Sequence, residues 1–129
     1  MHLLRRFFAP APSPAADMSA ARAKVEDLVA KHKVMVFSKS FCPFCTKGKA
    51  ALAQFVGVPS EDVGVWELDS ASSSECAAIQ DALAEITGGR SVPRVFVGGK
   101  FIGGGDDTAA KAASGELAKL LQAAGVKTK

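Results

Sequence analysis

Two cysteines separated by two residues, Cys42 and Cys45, stand in the stretch SKSFCPFCTKGKA from Ser38 to Ala50. Such a pair can grip a metal, close a structural disulfide or exchange electrons with other thiols. A structural zinc site needs four ligands, and beyond this pair the chain offers only Cys76, His2 and His32, with no second Cys-x-x-Cys. Closing so short a loop removes little entropy from the unfolded chain, so a static disulfide would contribute little. Redox chemistry remains. The thiolate is the reactive form, and a helix N-terminus favours it through unsatisfied N–H groups and the positive end of the helix dipole. Pro43, tolerated in the first turn of a helix but not in its middle, marks such a start directly after Cys42. Cys42 then occupies the exposed end and Cys45 lies one turn inside. That order predicts that Cys42 attacks a disulfide and Cys45 attacks the resulting mixed disulfide. Lys39 and Lys47 add positive charge nearby, while Pro43 and Phe44 bring no acid between the sulfurs.

The surrounding pattern supplies the elements that must position this pair. SAARAKVEDLVAKHK places Val25, Leu28 and Val29 on one helical face, with Ser19 as its expected N-cap. VMVF, Val34 to Phe37, is a short β-branched run that reads as a buried strand. The helix after Pro43 continues through TKGKAALAQFVG with Ala50, Leu52, Ala53 and Phe55 expected to face inward. VGVWELD from Val63 alternates and predicts a second strand parallel to the first, reached through that crossover helix. Ser72 to Thr87 is a helix stopped by Gly88 and Gly89. Arg94 to Val97 and Lys100 to Ile102 form a hairpin around Gly98 and Gly99. Residues 106–125 are helical, with Leu117, Leu120 and Leu121 as the apolar stripe. The order αβαβαββα predicts an α/β domain: a mixed sheet with helices on both faces.

The 129 residues, 48% hydrophobic and 22% charged, make one domain able to bury a core without staples. A net charge of +3 without aromatics interleaved in a basic stripe gives no reason to expect nucleic acid as a partner. No apolar run approaches the ~20 residues needed to cross a bilayer, so no membrane partner is expected either. Three cysteines suit a reducing compartment better than a disulfide scaffold. Residues 1–18 read as a leader, with Arg5 and Arg6 as its only charges before Asp17 and with Pro10, Pro12 and Pro14 opposing a continuous helix. An acid-free, Arg-bearing leader suits an organelle transit peptide; a disordered extension, or a start at Met18, is the alternative. The expected location is the cytoplasm, or a mitochondrion or plastid if the leader is a transit peptide, and the working domain is residues 19–129.

A second stretch decides the class. TGGRSVPRVFVGGKFIGGGDD, Thr87 to Asp107, together with SKSFCPFC and IQDAL, resembles the dithiol glutaredoxins, and the likeness runs from about Lys24 to Gln122. The resemblance implies a thioredoxin-like fold with a four-stranded mixed sheet. It implies a glutathione-dependent oxidoreductase that reduces glutathione mixed disulfides and protein disulfides through the Cys-Pro-Phe-Cys site, with glutathione reductase as an indirect partner. Pro93 would be a cis-proline facing the cysteines, and Val92 would hold the cysteinyl backbone of glutathione. Lys39, Gln80 and Arg90 would meet its glycyl end. Gly104, Gly105 and Asp106 would meet its γ-glutamyl end, with the Asp106 side chain on the amine. Phe44 would keep the aromatic wall that a tyrosine usually provides, and Gly105 stands where many relatives carry a third cysteine.

Taken alone, several of these residues have plainer readings: Lys39 and Arg90 as solvated charges, Gln80 as a polar helix face, Asp106 as an N-cap, the glycines as a permissive loop. Cys76 reads as a small core residue, with regulatory oxidation or dimerisation as the alternative. A monomer without a resident metal is expected. The rival reading is an iron–sulfur carrier, against which Pro43 argues, because cluster binding in this family is associated with Gly or Ser there. A thioredoxin would carry Trp-Cys-Gly-Pro-Cys, whereas Phe41 precedes Cys42 and the single tryptophan is Trp66.

Overall fold

The structure, a computed structural model, describes residues 14–128, with side chains from Ser19 onward. Four strands form one sheet in the order β2-β1-β3-β4. They are β1 (Val34–Ser38), β2 (Val63–Glu67), β3 (Arg94–Val97) and β4 (Lys100–Gly103). β1 pairs parallel to β2 and antiparallel to β3, and β3 pairs antiparallel to β4 with an irregularity between Val95 and Phe96. The helices are α1 (Pro14–Lys31), α2 (Pro43–Ala50), α3 (Ser73–Thr87), α4 (Gly105–Ser114) and α5 (Glu116–Ala123). The mixed α/β architecture expected from the sequence is the one observed.

Side chains alternate across β1, and the two faces feed two cores. Val34 and Val36 join Leu52, Val56, Val95, Leu117 and Leu121 beneath α2, α4 and α5. Met35 and Phe37 join Val25, Leu68, Ile79, Leu83 and Phe96 beneath α1 and α3. Burial on both faces explains why β1 is an unbroken apolar run, whereas β2, at the edge, leaves Val65 exposed.

Local signals set most of the boundaries. The Ser72 hydroxyl accepts from the Glu75 N–H at 3.2 Å and caps α3, and Gly88, at φ 87°, ends it. Gly98 and Gly99 both take positive φ, which a tight two-residue hairpin turn requires.

Three expectations are corrected. α1 begins at Pro14, so Ser19 lies inside it and is no cap. A proline at the first helical residue lacks only an N–H that would be unpaired anyway. This helix crosses the expected boundary between leader and domain, and residues 1–13 of the leader lie outside the described residues. The chain after α2 continues as a π-helical segment, Ala51–Val56. Its wider turn carries Ala53 and Phe55 outward, leaving Phe55 64% exposed, and brings Val56 into the core. Finally, Gly115, at φ 86°, divides the C-terminal helical region into α4 and α5.

Phe37 shows what the double burial is worth. It is wholly buried, edge-on to Phe96 at 5.8 Å between ring centroids and 6.3 Å from Trp66. Phe37→Ala should cost about 3–5 kcal/mol of stability. A denaturant titration should read this as a lowered midpoint at unchanged slope.

Candidate active site

β1 ends at Ser38, and the chain leaves the sheet through a short loop before α2 starts. Asp69, just beyond β2, holds that loop: its carboxylate accepts the Ser40 N–H at 2.9 Å and the Ser40 hydroxyl. These two bonds, the hydroxyl first, keep the Asp69 carboxyl below the usual carboxylate range. The Cys42 N–H closes the turn onto the Lys39 carbonyl at 3.1 Å. Cys42 is the N-cap of α2, in extended conformation, and Pro43 is its first helical residue.

The two sulfurs differ sharply in solvation. Cys42 is partly exposed, whereas Cys45 is fully buried, and both are free thiols. Partial burial raises the Cys42 thiol. The Cys45 thiol, the N–H groups of Cys45 and Phe44 and the Lys39 ammonium together outweigh this and hold it below the ordinary value. Burial pushes the Cys45 thiol up, and the Lys39 N–H, donating to its sulfur at 3.4 Å, offsets only part of that. The outer sulfur therefore ionises more readily than a free thiol, and the inner one less readily.

Opposite the pair lies the loop before β3. The Val92–Pro93 bond is cis, and the Cys42 thiol donates to the Val92 carbonyl at 3.8 Å. The Pro93 ring is close to Gly48 of α2, where an added Cβ would come within 3.7 Å of it. Gly104 is the N-cap of α4. Gly105, the first helical residue, is so close to α2 that a Cβ there would strike the Phe44 carbonyl. Lys39, Phe44 and Val92 thus touch or flank the sulfurs, Pro93 and Gly105 pack against α2, and Gly104 and Asp106 lie beside Gly105 at the start of α4. Phe44 is 55% exposed and the neighbouring Phe41 is 72% exposed.

Gln80 lies on α3, and Arg90 lies in the loop between α3 and β3 that carries Val92. The Gln80 amide donates to the Arg90 carbonyl at 2.9 Å, and the Arg90 guanidinium pairs with Asp81 at 3.2 Å. Gln80 thereby fixes the Arg90 loop, a role its position on a helix did not suggest. Cys76 is half-buried against the α1/α3 core and donates to Gln80 at 3.4 Å.

Two readings of charged residues change. Asp106 is not the cap of α4: Asp107 accepts the Gly104 N–H at 3.0 Å, the half of a capping box that a glycine N-cap permits. Lys47 does not serve Cys42. Its ammonium pairs with Asp106 at 2.7 Å, across the gap between α2 and α4. Sequence reasoning also passed over Ser38, Lys49 and Glu67, which cluster beneath Cys45; only the Cys45–Lys49 spacing of one helical turn pointed there. Among the described residues, no three His, Cys, Asp or Glu side chains are grouped to hold a metal ion, and no helix is long and apolar enough to cross a membrane.

The electrostatics predict the titration of the nucleophile. Alkylation of the reduced protein against pH should show Cys42 with a midpoint below that of a free thiol, and Lys39→Gln should move it upward. A midpoint at or above the free-thiol value would remove Cys42 as the ionised partner.

Comparison with known proteins agrees with this geometry. Residues 34–102 match the family model described as Glutaredoxin. The chain is 44% identical to Glutaredoxin-C4 of Arabidopsis thaliana over 117 residues, 91% of this chain and 78% of that protein. The crystal structure of oxidized glutaredoxin 2 from Chlamydomonas reinhardtii superposes with a TM-score of 0.75 at 53% identity, covering 84% of this chain and 96% of that one. A buckwheat glutaredoxin–glutathione complex superposes equally well, at 0.75, with 38% identity over 84% of this chain and 94% of that one. On the family match, the identity to its relatives and the shared fold, this chain belongs to the glutaredoxin family of glutathione-dependent thiol–disulfide oxidoreductases.

Proposed function

We propose that the Cys42 thiolate takes glutathione from a glutathionylated protein or small mixed disulfide, giving a Cys42–glutathione disulfide that a second glutathione resolves. With protein disulfides, Cys45 attacks the mixed disulfide instead and the Cys42–Cys45 bond closes, to be reopened by glutathione. The observation that carries this reading is the unequal burial of two sulfurs one helical turn apart, the outer one favoured as the anion. Glutathione is a peptide with two carboxylates and one amine. Lys39 and Arg90 supply cations for the glycyl carboxylate, and Gln80 holds the Arg90 loop in place. The Val92 backbone offers strand-like pairing for the cysteinyl unit. The N–H groups of Gly105 and Asp106 suit the γ-glutamyl carboxylate, and the Asp106 carboxylate suits the amine, once that amine displaces Lys47. Exposed Phe41 and Phe44 offer apolar surface to the protein that carries the disulfide.

This chemistry runs as a monomer and draws its electrons from glutathione, which glutathione reductase keeps reduced. A dithiol at rest requires a reducing compartment, for which the cytoplasm is the proposed location; a transit peptide in residues 1–18 would redirect it to a mitochondrion or plastid.

The test is turnover of a small glutathione mixed disulfide with glutathione and glutathione reductase supplied. Cys42→Ser should abolish activity on every substrate, while Cys45→Ser should retain deglutathionylation and lose protein-disulfide reduction. Complete loss in both variants would overturn the order of attack. Asp106→Ala should raise KM for the glutathione mixed disulfide by roughly fivefold, corresponding to about 1 kcal/mol for an exposed charge-assisted contact. Reduction of a disulfide lacking a γ-glutamyl group should change less. Equal losses, with thermal stability intact, would show that Asp106 does not read glutathione.

A further inference from the structure

Cys45 is fully buried, and burial keeps it protonated, yet it must shed its proton to close the disulfide. The fold places a polar path directly behind it. In the parallel register of β1 and β2, Ser38 lies beside Glu67. Strand alternation puts both on the face that α2 covers, since Ser38 shares parity with Val34 and Val36 of the α2-side core. On α2, Cys45 and Lys49 are four residues apart and share one helical face. The N–H of Lys39, the residue after Ser38, donates to the Cys45 sulfur at 3.4 Å, which brings the end of β1 against Cys45.

The bonds of this path run in one direction. The Ser38 hydroxyl, fully buried, donates to Glu67 Oε2 at 2.8 Å. Glu67 Oε1 accepts from Lys49 Nζ at 2.7 Å, and both of these side chains retain about a third of their surface in solvent (30% for Glu67 and 29% for Lys49). In the mixed disulfide Cys42 is bonded to glutathione and no longer takes the Cys45 S–H, and a hydroxyl that donates to Glu67 keeps lone pairs free to accept it. Once the proton has moved, the same oxygen donates back to the Cys45 sulfur, which favours its ionised form. A buried serine in a strand otherwise made of Val, Met and Phe has no packing advantage over an apolar residue; its bond to Glu67 is what offsets its burial.

We infer that Ser38 and Glu67, with Lys49 holding the carboxylate in place, form a proton exit for Cys45 in the closing step of the dithiol route. The inference rests on that proposed route. As Cys45 Sγ attacks Cys42, its proton passes to Ser38 Oγ while the Ser38 proton passes to Glu67 Oε2. The new Cys42–Cys45 bond forms as the bond from Cys42 to the substrate sulfur breaks. The departing thiolate carries off the electron pair, and Glu67 returns its proton to water. Disulfide exchange is balanced: one disulfide and one thiol are consumed and one of each is produced. Ser38, Glu67 and Lys49 act through Cys45 and touch no substrate, so they are positioning residues. The charged or titratable groups around the path are Cys42, the Lys39 ammonium, Lys49 and Asp69.

Quenched-flow mass spectrometry of the reduced full-length protein, mixed with glutathione disulfide as the probe, separates the first attack at Cys42 from closure to Cys42–Cys45. In Glu67→Gln the ratio of closing rate to first-attack rate should fall about tenfold or more near neutral pH. The deficit should shrink as pH rises, because hydroxide replaces the missing acceptor. Ser38→Ala should show the same pH-dependent deficit. Lys49→Gln breaks the same ion pair but keeps the carboxylate, and its ratio should fall much less than that of Glu67→Gln. Closure in heavy water should be slowed in the wild type and less so in Glu67→Gln. An unchanged ratio in Glu67→Gln, a deficit independent of pH, or equal deficits in Glu67→Gln and Lys49→Gln would overturn the relay. A wild type that forms the mixed disulfide but never closes would overturn the dithiol route itself. A wild type that never reacts at Cys42 would overturn the proposed function.

Discussion

β1 lies between two strands and under helices on both faces, so no residue from Val34 to Ser38 meets solvent. A strand buried this way supplies its side chains to two cores at once, and the chain can change direction only where it leaves the sheet. Cys42 and Cys45 belong to the first turn after that exit. Their unequal burial follows from the geometry: the helix begins at the rim of the sheet and runs back over it. One sulfur caps the helix at the rim, and the other, one turn later, is pressed against the sheet. Because β1 cannot shift without disturbing both cores, the relation between the sulfurs and the facing Val92 loop is set by the most rigid part of the molecule.

The electrostatic design separates two tasks by depth. At the surface, the Cys45 thiol, the N–H groups of Cys45 and Phe44 and the charge of Lys39 favour an anion at Cys42 even though partial burial opposes it. Below it, burial outweighs the Lys39 N–H and keeps Cys45 neutral. The same short helix thus stabilises one charge and withholds another. Ion pairs on the rim, Lys47–Asp106 and Arg90–Asp81, are exposed and individually weak.

Much of the centre was legible in the sequence, because its signals are local. Pro43 after Cys42 marked the helix start, the β-branched run of β1 marked a buried strand, and paired glycines marked the hairpin. What escaped depended on contacts between distant segments. Lys47 sits two residues past Cys45 and looked like its neighbour, but its partner is Asp106, brought close by the packing of α4 on α2. Asp106 and Asp107 are equally good caps by type; only helix phase makes Asp107 the one that reaches Gly104. Phe55 looked like core under an α-helical period, and the π-helical turn put it outside. Ser38 and Glu67 are twenty-nine residues apart, and their pairing needed the sheet register.

The close approach of α2 and α4 carries one more consequence. Gly48, Gly105 and Pro93 leave so little bulk at the joint that the two helix N-termini meet almost backbone to backbone. Each end carries the positive pole of its helix dipole, and like poles held in contact repel. An anion seated between them would relieve that repulsion, whether it is the Cys42 thiolate or a bound carboxylate. By thermodynamic linkage, whatever negative species the joint binds must also tighten the packing of α4 on α2. Resistance to unfolding thus becomes a record of the site's ionisation and occupancy.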